Sequence, residues 1–85
     1  MGAINAKIFS LKDGYEALGD LKSIRIKSKT YNLLVMEDYL PIIGEIDGSI
    51  TFVGEDSERT YEDIKAFYRH SHNEFELLVK SRNND

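Results

Sequence analysis

The sequence contains no cysteine, no tryptophan, a single proline and no long apolar run. Without cysteine, the chain has no disulfide, no thiolate nucleophile and no zinc site built on sulfur. Its apolar runs are far shorter than a membrane-spanning helix requires. The N-terminus also lacks the basic and then apolar pattern of a secretion signal. We therefore expect a cytoplasmic protein without direct membrane insertion.

The size and composition of the chain predict one small globular domain. Its 85 residues, 41% hydrophobic and 31% charged, allow a single compact core. We expect this domain to span residues 3–80 and the polar tail 81–85 to fray. So small a domain without cross-links must depend on a well-packed core, or on a partner that covers part of its surface.

Charge is distributed unevenly along the chain, although the net charge is only -4. Acids predominate from residue 37 to residue 63, whereas residues 22–29 hold bases and no acid. The basic run lacks the interleaved aromatic residues that stack on bases, so a nucleic-acid accessory role ranks third among the functions considered. The basic patch predicted here consists of Lys22, Arg25, Lys27 and Lys29.

No motif in the sequence predicts catalysis, a cofactor or a metal. Adjacent acids such as Glu62 and Asp63 point apart on a strand, and there is neither a nucleophile elbow nor a phosphate-binding loop. His70 and His72 have the spacing of two metal ligands on a strand but lack a third. We predict two exposed histidines near a turn, and a protein that is not an enzyme.

The segment around the only proline gives the strongest signal of β-structure. Asp47-Gly48 lies between two apolar runs and fits the two central positions of a type I′ turn. It predicts a hairpin with arms at 42–46 and 50–53. Pro41 has no N–H to donate to a ladder, so it is expected at the start of the first arm.

Further strands are predicted on both sides of this segment. Asp13-Gly14 is a second turn signal, and residues 33–36 form a short apolar run expected to be buried. The alternating patterns at 21–29 and 74–80 predict two more strands. In these, Ile24 and Ile26 share one face, and so do Phe75, Leu77 and Val79.

The region between residues 61 and 70 allows two interpretations. A capping-box pattern at Thr60 and Asp63, followed by apolar residues at helical spacing, predicts a helix over 61–69. The alternative is a strand that turns at 71–73 and pairs with the last strand. Local propensity slightly favours the helix.

Scattered positions across almost the whole chain resemble the epsilon subunit of F-type ATP synthase. The run Ala17–Ile26 is similar to a segment of that family that reads aromatic, x, Gly, acid, aliphatic, x, Ser, aliphatic, x, aliphatic. Leu40-Pro41-Ile42 looks like the Ala-Pro-Leu part of the family's Leu-Pro-Gly-His-Ala-Pro-Leu loop. Residues 61–79 align without a gap to the family's paired final strands.

The resemblance implies an antiparallel β-sandwich like the N-terminal domain of that subunit, and it favours the strand at 61–69. The alternative fold is a small α+β domain with a helix near 61–70. In the family, this sandwich docks on the rotor stalk and the membrane-embedded ring. Because the sequence ends at Asp85, we expect the family's C-terminal helical hairpin to be absent.

The leading functional hypothesis is a non-catalytic protein-binding module, similar to a minimal epsilon subunit with ATP synthase rotor components as partners. The family's Gly-His is replaced here by Asp38-Tyr39, so the loop differs from the family's and this difference weighs against inherited docking. The alternative is a stand-alone adaptor or self-association module, which the abundance of tyrosine also favours. The predicted partner-binding residues are Asp38, Tyr39, Leu40, Pro41 and Ile42.

Overall fold

The computed structural model describes residues 3–82, which form seven β-strands and no helix. The all-β prediction is therefore confirmed, and within this range no helix is present that could cross a membrane. The strands form one sheet in the order β2-β1-β7-β6-β5-β3-β4. β1 and β7 are parallel, so the sheet is mixed rather than antiparallel throughout. The strands are β1 (Ile4–Ser10), β2 (Gly14–Leu21), β3 (Ser23–Ser28), β4 (Asn32–Met36), β5 (Ile42–Val53), β6 (Glu58–Ser71) and β7 (Glu74–Arg82).

The sheet folds over on itself because its two longest strands each belong to two layers. Residues 42–47 of β5 pair with 65–70 of β6, which also pairs with β7. Residues 48–53 of β5 pair with 58–64 of β6 and, on the other side, with β3. We call β2, β1, β7 and the adjoining halves of β6 and β5 the first layer. The second layer comprises β4, β3 and the remaining halves.

Contacts between strands that are not neighbours show that the two layers face each other. Phe52 in the second layer meets Phe75 in the first edge to face, with ring centroids 6.0 Å apart. At one end, the carboxylate of Glu16 on β2 accepts hydrogen bonds from Arg59 Nη2 at 2.7 Å and Tyr61 Oη at 2.8 Å. Side chains from the inner faces of the two layers pack against each other, as in a β-sandwich.

The core follows the strand alternation predicted from the sequence. Ile24 and Ile26 are 0% and 1% exposed, and every strand contributes at least one buried side chain. The buried apolar residues are Ile4, Ala6, Ile8, Leu21, Ile24, Ile26, Val35, Ile46, Ile50, Phe52, Ile64, Ala66, Tyr68, Phe75, Leu77 and Val79.

The hairpin predicted at Asp47-Gly48 is wrong, since β5 runs without interruption through both residues. Gly48 does not have the positive φ that a type I′ turn requires. Instead, a Cβ at this position would overlap the carbonyl oxygen of Lys27 on β3. The pairing of β5 with β6 shifts register between Gly48 and Ile50, which is a bulge. The glycine therefore allows two backbones to approach closely where the sheet bends.

The predicted strand at 21–29 is divided in the structure. Leu21 ends β2, and its side chain is buried rather than sharing a face with Arg25. The chain turns at Lys22, whose N–H donates a 2.7 Å hydrogen bond to the Val53 carbonyl oxygen. The break arises because β2 and β3 belong to different layers, which strand periodicity alone does not reveal.

The run 33–36 forms β4 as expected, but most of it is not buried. Val35 is 0% exposed, whereas Leu34 and Met36 are 47% and 53% exposed. β4 is the last strand of the sheet and covers the core with one face only. An apolar residue on its other face therefore contacts solvent.

The remaining local predictions agree with the structure more closely. Residues 61–69 lie in β6, which confirms the strand, and β6 turns into β7 at His72 and Asn73, both with positive φ. Gly14, with φ of +84°, follows the turn between β1 and β2. Pro41 immediately precedes β5. β7 continues to Arg82, past the predicted domain end at 80, and the rest of the predicted tail, 83–85, lies outside the described residues.

Replacing Gly48 with alanine should destabilise the fold, because the new methyl group meets backbone atoms that cannot rotate away. We expect Gly48→Ala to lower the free energy of unfolding by about 2 kcal/mol in urea denaturation. Gly54→Ala is the matched control, since its Cβ would lie 3.4 Å from the nearest atoms, which belong to Ser57. Equal stability of the two variants would contradict the close approach at Gly48.

Candidate protein-binding surface

The loop predicted to bind a partner connects β4 to β5 and is held by the turn between β6 and β7. The backbone N–H of Asp38 donates to Asn73 Oδ1 at 2.7 Å, and Asn73 Nδ2 donates back to Asp38 Oδ1 at 3.0 Å. The N–H of Tyr39 donates to the Met36 carbonyl oxygen at 3.1 Å. Asp38 has φ of +63°, a conformation that Asp adopts more readily than most residues. These bonds fix the loop against the first layer.

The five predicted binding residues do not form one exposed surface. Tyr39 and Ile42 pack against the core, and Asp38 is engaged by Asn73. Leu40 and Pro41 are exposed, Leu40 by 74%. The residue just beyond the predicted set, Ile43, is 85% exposed. The exposed apolar side chains therefore lie partly in the loop and partly on the outer face of β5, rather than throughout the predicted set.

A cleft of about 580 Å³ lies between this loop and the β6–β7 turn. The prediction of two exposed histidines is half wrong here, because His70 is only 1% exposed. His72 is exposed and lies in the turn between β6 and β7. Residues 3–82 contain no group of three or more metal-ligating side chains close enough to hold an ion. The cleft is lined by Pro41, Ile42, Ile43, Arg69, His70, Ser71, Glu74 and Glu76.

The buried position of His70 disfavours the charged form of its imidazole. Its ring lies 5.9 Å from that of Phe75, and neither ring nitrogen has a hydrogen-bond partner among the described residues. Desolvation lowers the pKa of His70, and the nearby carboxylate of Glu74 only partly opposes the shift. Protonation of His70 would place a charge on a buried ring that has no hydrogen-bond partner among the described residues.

Exposed apolar side chains form a stripe across the outer face of the first layer. Phe9 on β1 lies opposite Leu78 on β7, and Leu78 lies opposite Phe67 on β6. These three side chains are between 41% and 47% exposed. Tyr15 continues the stripe onto β2, with its ring centroid 5.0 Å from that of Phe9. Ile43 joins Phe9, Phe67 and Leu78 around a shallow depression of about 350 Å³. We call these five residues the outer stripe.

Adjacent apolar residues in the sequence are a signal for this stripe, and strict alternation of apolar and polar residues does not include them. β1, β5, β6 and β7 each contain a pair of adjacent apolar residues, which must point to opposite faces. One residue of each pair fills the core and the other faces outward, and the strand register then aligns the outward ones. The pairs are Ile8-Phe9, Ile42-Ile43, Phe67-Tyr68 and Leu77-Leu78.

Charged side chains border the outer stripe. The Arg69 guanidinium contacts the Glu76 carboxylate with Nε and Oε1 2.5 Å apart. Lys80 lies over the ring of Phe67 at 4.2 Å from its centroid and 3.4 Å from Glu45 Oε2. An apolar centre with a charged border is the composition typical of protein–protein interfaces.

The predicted basic patch is only partly assembled. Arg25 and Lys27 are exposed on the outer face of β3, one strand from the edge of the second layer. Lys29 lies in the β3–β4 turn with its Nζ 3.5 Å from Asp47 Oδ2, and Lys22 lies at the corner between β2 and β3. The patch and the outer stripe therefore occupy opposite layers.

Comparison with known proteins identifies a fold but no family. No protein-family model matches the chain, and no curated protein matches it. A chain in the cryo-EM structure of the central stalk and c-ring of Tetrahymena thermophila mitochondrial ATP synthase superposes with a TM-score of 0.75 at 9% identity. The match covers 93% of this chain and 64% of that chain. The predicted ATP synthase-like architecture is therefore confirmed at the level of fold, and assignment to the epsilon subunit stays a prediction.

The burial of His70 generates a pH-dependent stability. Because its pKa is lower in the folded than in the unfolded chain, the unfolded chain binds more protons below about pH 6.5. The free energy of unfolding should therefore fall as the pH drops below about 6.5. We expect His70→Leu to lose less stability than the wild type between about pH 7.5 and pH 5.5, measured by urea denaturation. Parallel pH profiles for the two proteins would contradict this.

Proposed function

We propose that this chain is a non-catalytic protein-binding module that docks through the outer stripe, and that its partner is a rotor component of ATP synthase. The main support is the outer stripe itself. Strand register aligns its exposed aromatic and aliphatic side chains from Tyr15 across to Phe67 and Ile43. Contiguous apolar patches of this kind mark interaction sites, whereas isolated exposed apolar residues do not.

The chemistry of the outer stripe suits a protein partner. Phe67 and Phe9 supply flat, rigid side chains of the type that dominates binding energy at interfaces. Arg69 and Lys80 at the border could re-pair with acids of the partner, and their present contacts with Glu76 and Glu45 hold them in place until docking. The stripe lies on β-strands, so little ordering is needed on binding.

The loop at 38–42 extends this surface at one end. Ile43, Arg69 and Glu76 line both the cleft beside the loop and the depression of the outer stripe, so the two surfaces are continuous. Leu40 adds a further exposed apolar side chain. Part of the predicted binding segment would thus contact the same partner, although the family's Gly-His is replaced by Asp38-Tyr39.

Two similarities to ATP synthase subunits support a rotor component as the partner. The fold is similar to a chain of a mitochondrial central stalk and c-ring structure. The sequence of Ala17–Ile26 also resembles the corresponding segment of the epsilon subunit. A second copy of this chain would be the occupant if the module self-associates, which is the alternative function.

Substitution within the outer stripe should disrupt this docking. Leu78→Ser keeps the strand but removes an apolar side chain at the centre of the stripe, and we expect at least about tenfold weaker retention of rotor subunits. Leu34→Ser is the matched control, because Leu34 and Leu78 are both 47% exposed and lie on opposite layers. The measurement is co-purification of ATP synthase subunits with the tagged full chain from its own cells.

Retention of rotor subunits by the wild type and the two variants distinguishes rotor docking from self-association. Retention of rotor subunits by wild type and Leu34→Ser but not by Leu78→Ser supports the proposal. If the wild type retains no rotor subunit, the rotor partner is wrong. A dimer in light scattering that Leu78→Ser dissociates then assigns the stripe to self-association.

A further inference from the structure

β4 is an open edge of the second layer and lacks the features that normally protect such an edge. Among residues 3–82, its only neighbour in the sheet is β3. The strand Asn32–Met36 contains no charged residue, no proline and no glycine. Edge strands of natural proteins usually carry charges, prolines or bulges that prevent another chain from pairing with them. The absence of these features on β4 indicates a strand that can accept a partner strand.

The pairing of β4 with β3 determines which backbone groups face outward. The N–H of Ser28 donates to the Tyr31 carbonyl oxygen at 2.8 Å, so this pair is hydrogen-bonded. Antiparallel pairs alternate, and the next hydrogen-bonded residues of β4 are therefore Leu33 and Val35. The residues that alternate with these two along β4 direct their backbone groups away from β3. These outward-directed residues are Asn32, Leu34 and Met36.

The same outward-directed positions lie beside positive charge. Arg25 is directly opposite Leu34, and Lys27 is directly opposite Asn32, with both basic side chains exposed. Their partners on the other side, Thr51 and Ser49 of β5, are neutral. The row of charges next to the edge is therefore not neutralised by its cross-strand neighbours.

A hollow of about 330 Å³ opens between the two strands. It is lined by Arg25, Ile26, Lys27, Asn32, Leu33 and Leu34. Leu34 offers an apolar contact in this hollow, with Arg25 directly opposite it and Lys27 opposite the neighbouring Asn32. An incoming strand could form main-chain hydrogen bonds with β4 and contact the apolar side chains of Leu34 and Met36. The positive charges of Arg25 and Lys27 would lie one strand further from it, on β3.

We propose that the β4 edge binds an extended peptide segment rich in acidic residues, which adds to the sheet as an eighth strand. The peptide backbone would pair with Asn32, Leu34 and Met36, and its carboxylates would pair with Arg25 and Lys27. Main-chain bonds supply affinity in this mode of recognition, and side chains supply specificity. This second surface lies on the layer opposite the outer stripe, so the chain could connect two proteins.

Two other occupants suit the edge less well. Two-fold pairing of β4 with β4 of a second copy would place Arg25 and Lys27 of both copies along the same seam, without an acid on either strand. A nucleic acid would leave the outward backbone groups of Leu34 without strand partners, and β4 offers no aromatic side chain on which a base could stack.

Peptide binding to the full chain tests the proposal without knowledge of the natural partner. The probe is a fluorescent heptapeptide of alternating Glu and Val, compared by anisotropy with one of alternating Lys and Val. A third probe, the Glu-Val peptide with alternate backbone nitrogens methylated, cannot form strand hydrogen bonds. We expect the Glu-Val peptide to bind at least about tenfold more tightly than either of the others, and more weakly as salt rises.

Charge reversal on β3 assigns the site. Arg25→Glu/Lys27→Glu should reverse the preference toward the Lys-Val peptide, while Leu78→Ser should bind the Glu-Val peptide as the wild type does. Equal binding of all three peptides, binding unaffected by the charge reversal, or no binding at millimolar peptide would overturn the proposal. Self-association lost in Leu34→Lys, or tighter binding of single-stranded RNA than of the peptide, would also overturn it. Because Leu78→Ser separates the surfaces, this test can fail while docking through the outer stripe stands.

Discussion

The two-layer packing of this protein requires the bend at Gly48. At this residue the backbone of β5 passes so close to Lys27 of β3 that no side chain fits between them. The bulge beside it lets β5 and β6 leave one layer and continue in the other. Without this bend, seven strands would form an open sheet with one face of apolar residues in water. With it, a chain of 85 residues that contains no cysteine encloses a core without disulfides.

The bend also determines where the two candidate surfaces lie. Ile43 precedes the bend in β5 and Phe67 follows it in β6, so both residues belong to the first layer. Their side chains face outward beside Phe9 and Leu78. Arg25 and Leu34 lie in the second layer, on the opposite side of the molecule. One module can therefore contact two proteins without competition between them. The proposals for these surfaces are independent, since no residue belongs to both.

The sequence predicted the strands well and their connections less well. The alternation of apolar and polar residues around Ile24 and Ile26, and around Phe75 and Leu77, indicates that one face of each strand is buried. This pattern can be read from each strand alone. Asp47-Gly48 was misread because the same two residues suit a turn and a close backbone approach, and only the position of β3 distinguishes them. The burial of His70 likewise depends on packing between layers. The outer stripe was predictable in part, from adjacent apolar residues, but its alignment required the register.

The central claim is that the outer stripe is a docking surface, and site-specific photo-crosslinking in cells tests it most directly. Benzoylphenylalanine in place of Phe67 preserves an aromatic side chain at the centre of the stripe. We expect this position to form an adduct with an ATP synthase rotor subunit, identified by mass spectrometry. Benzoylphenylalanine in place of Thr60, exposed on the same strand in the other layer, should form no such adduct. No adduct from position 67, or the same adduct from both positions, would contradict the account.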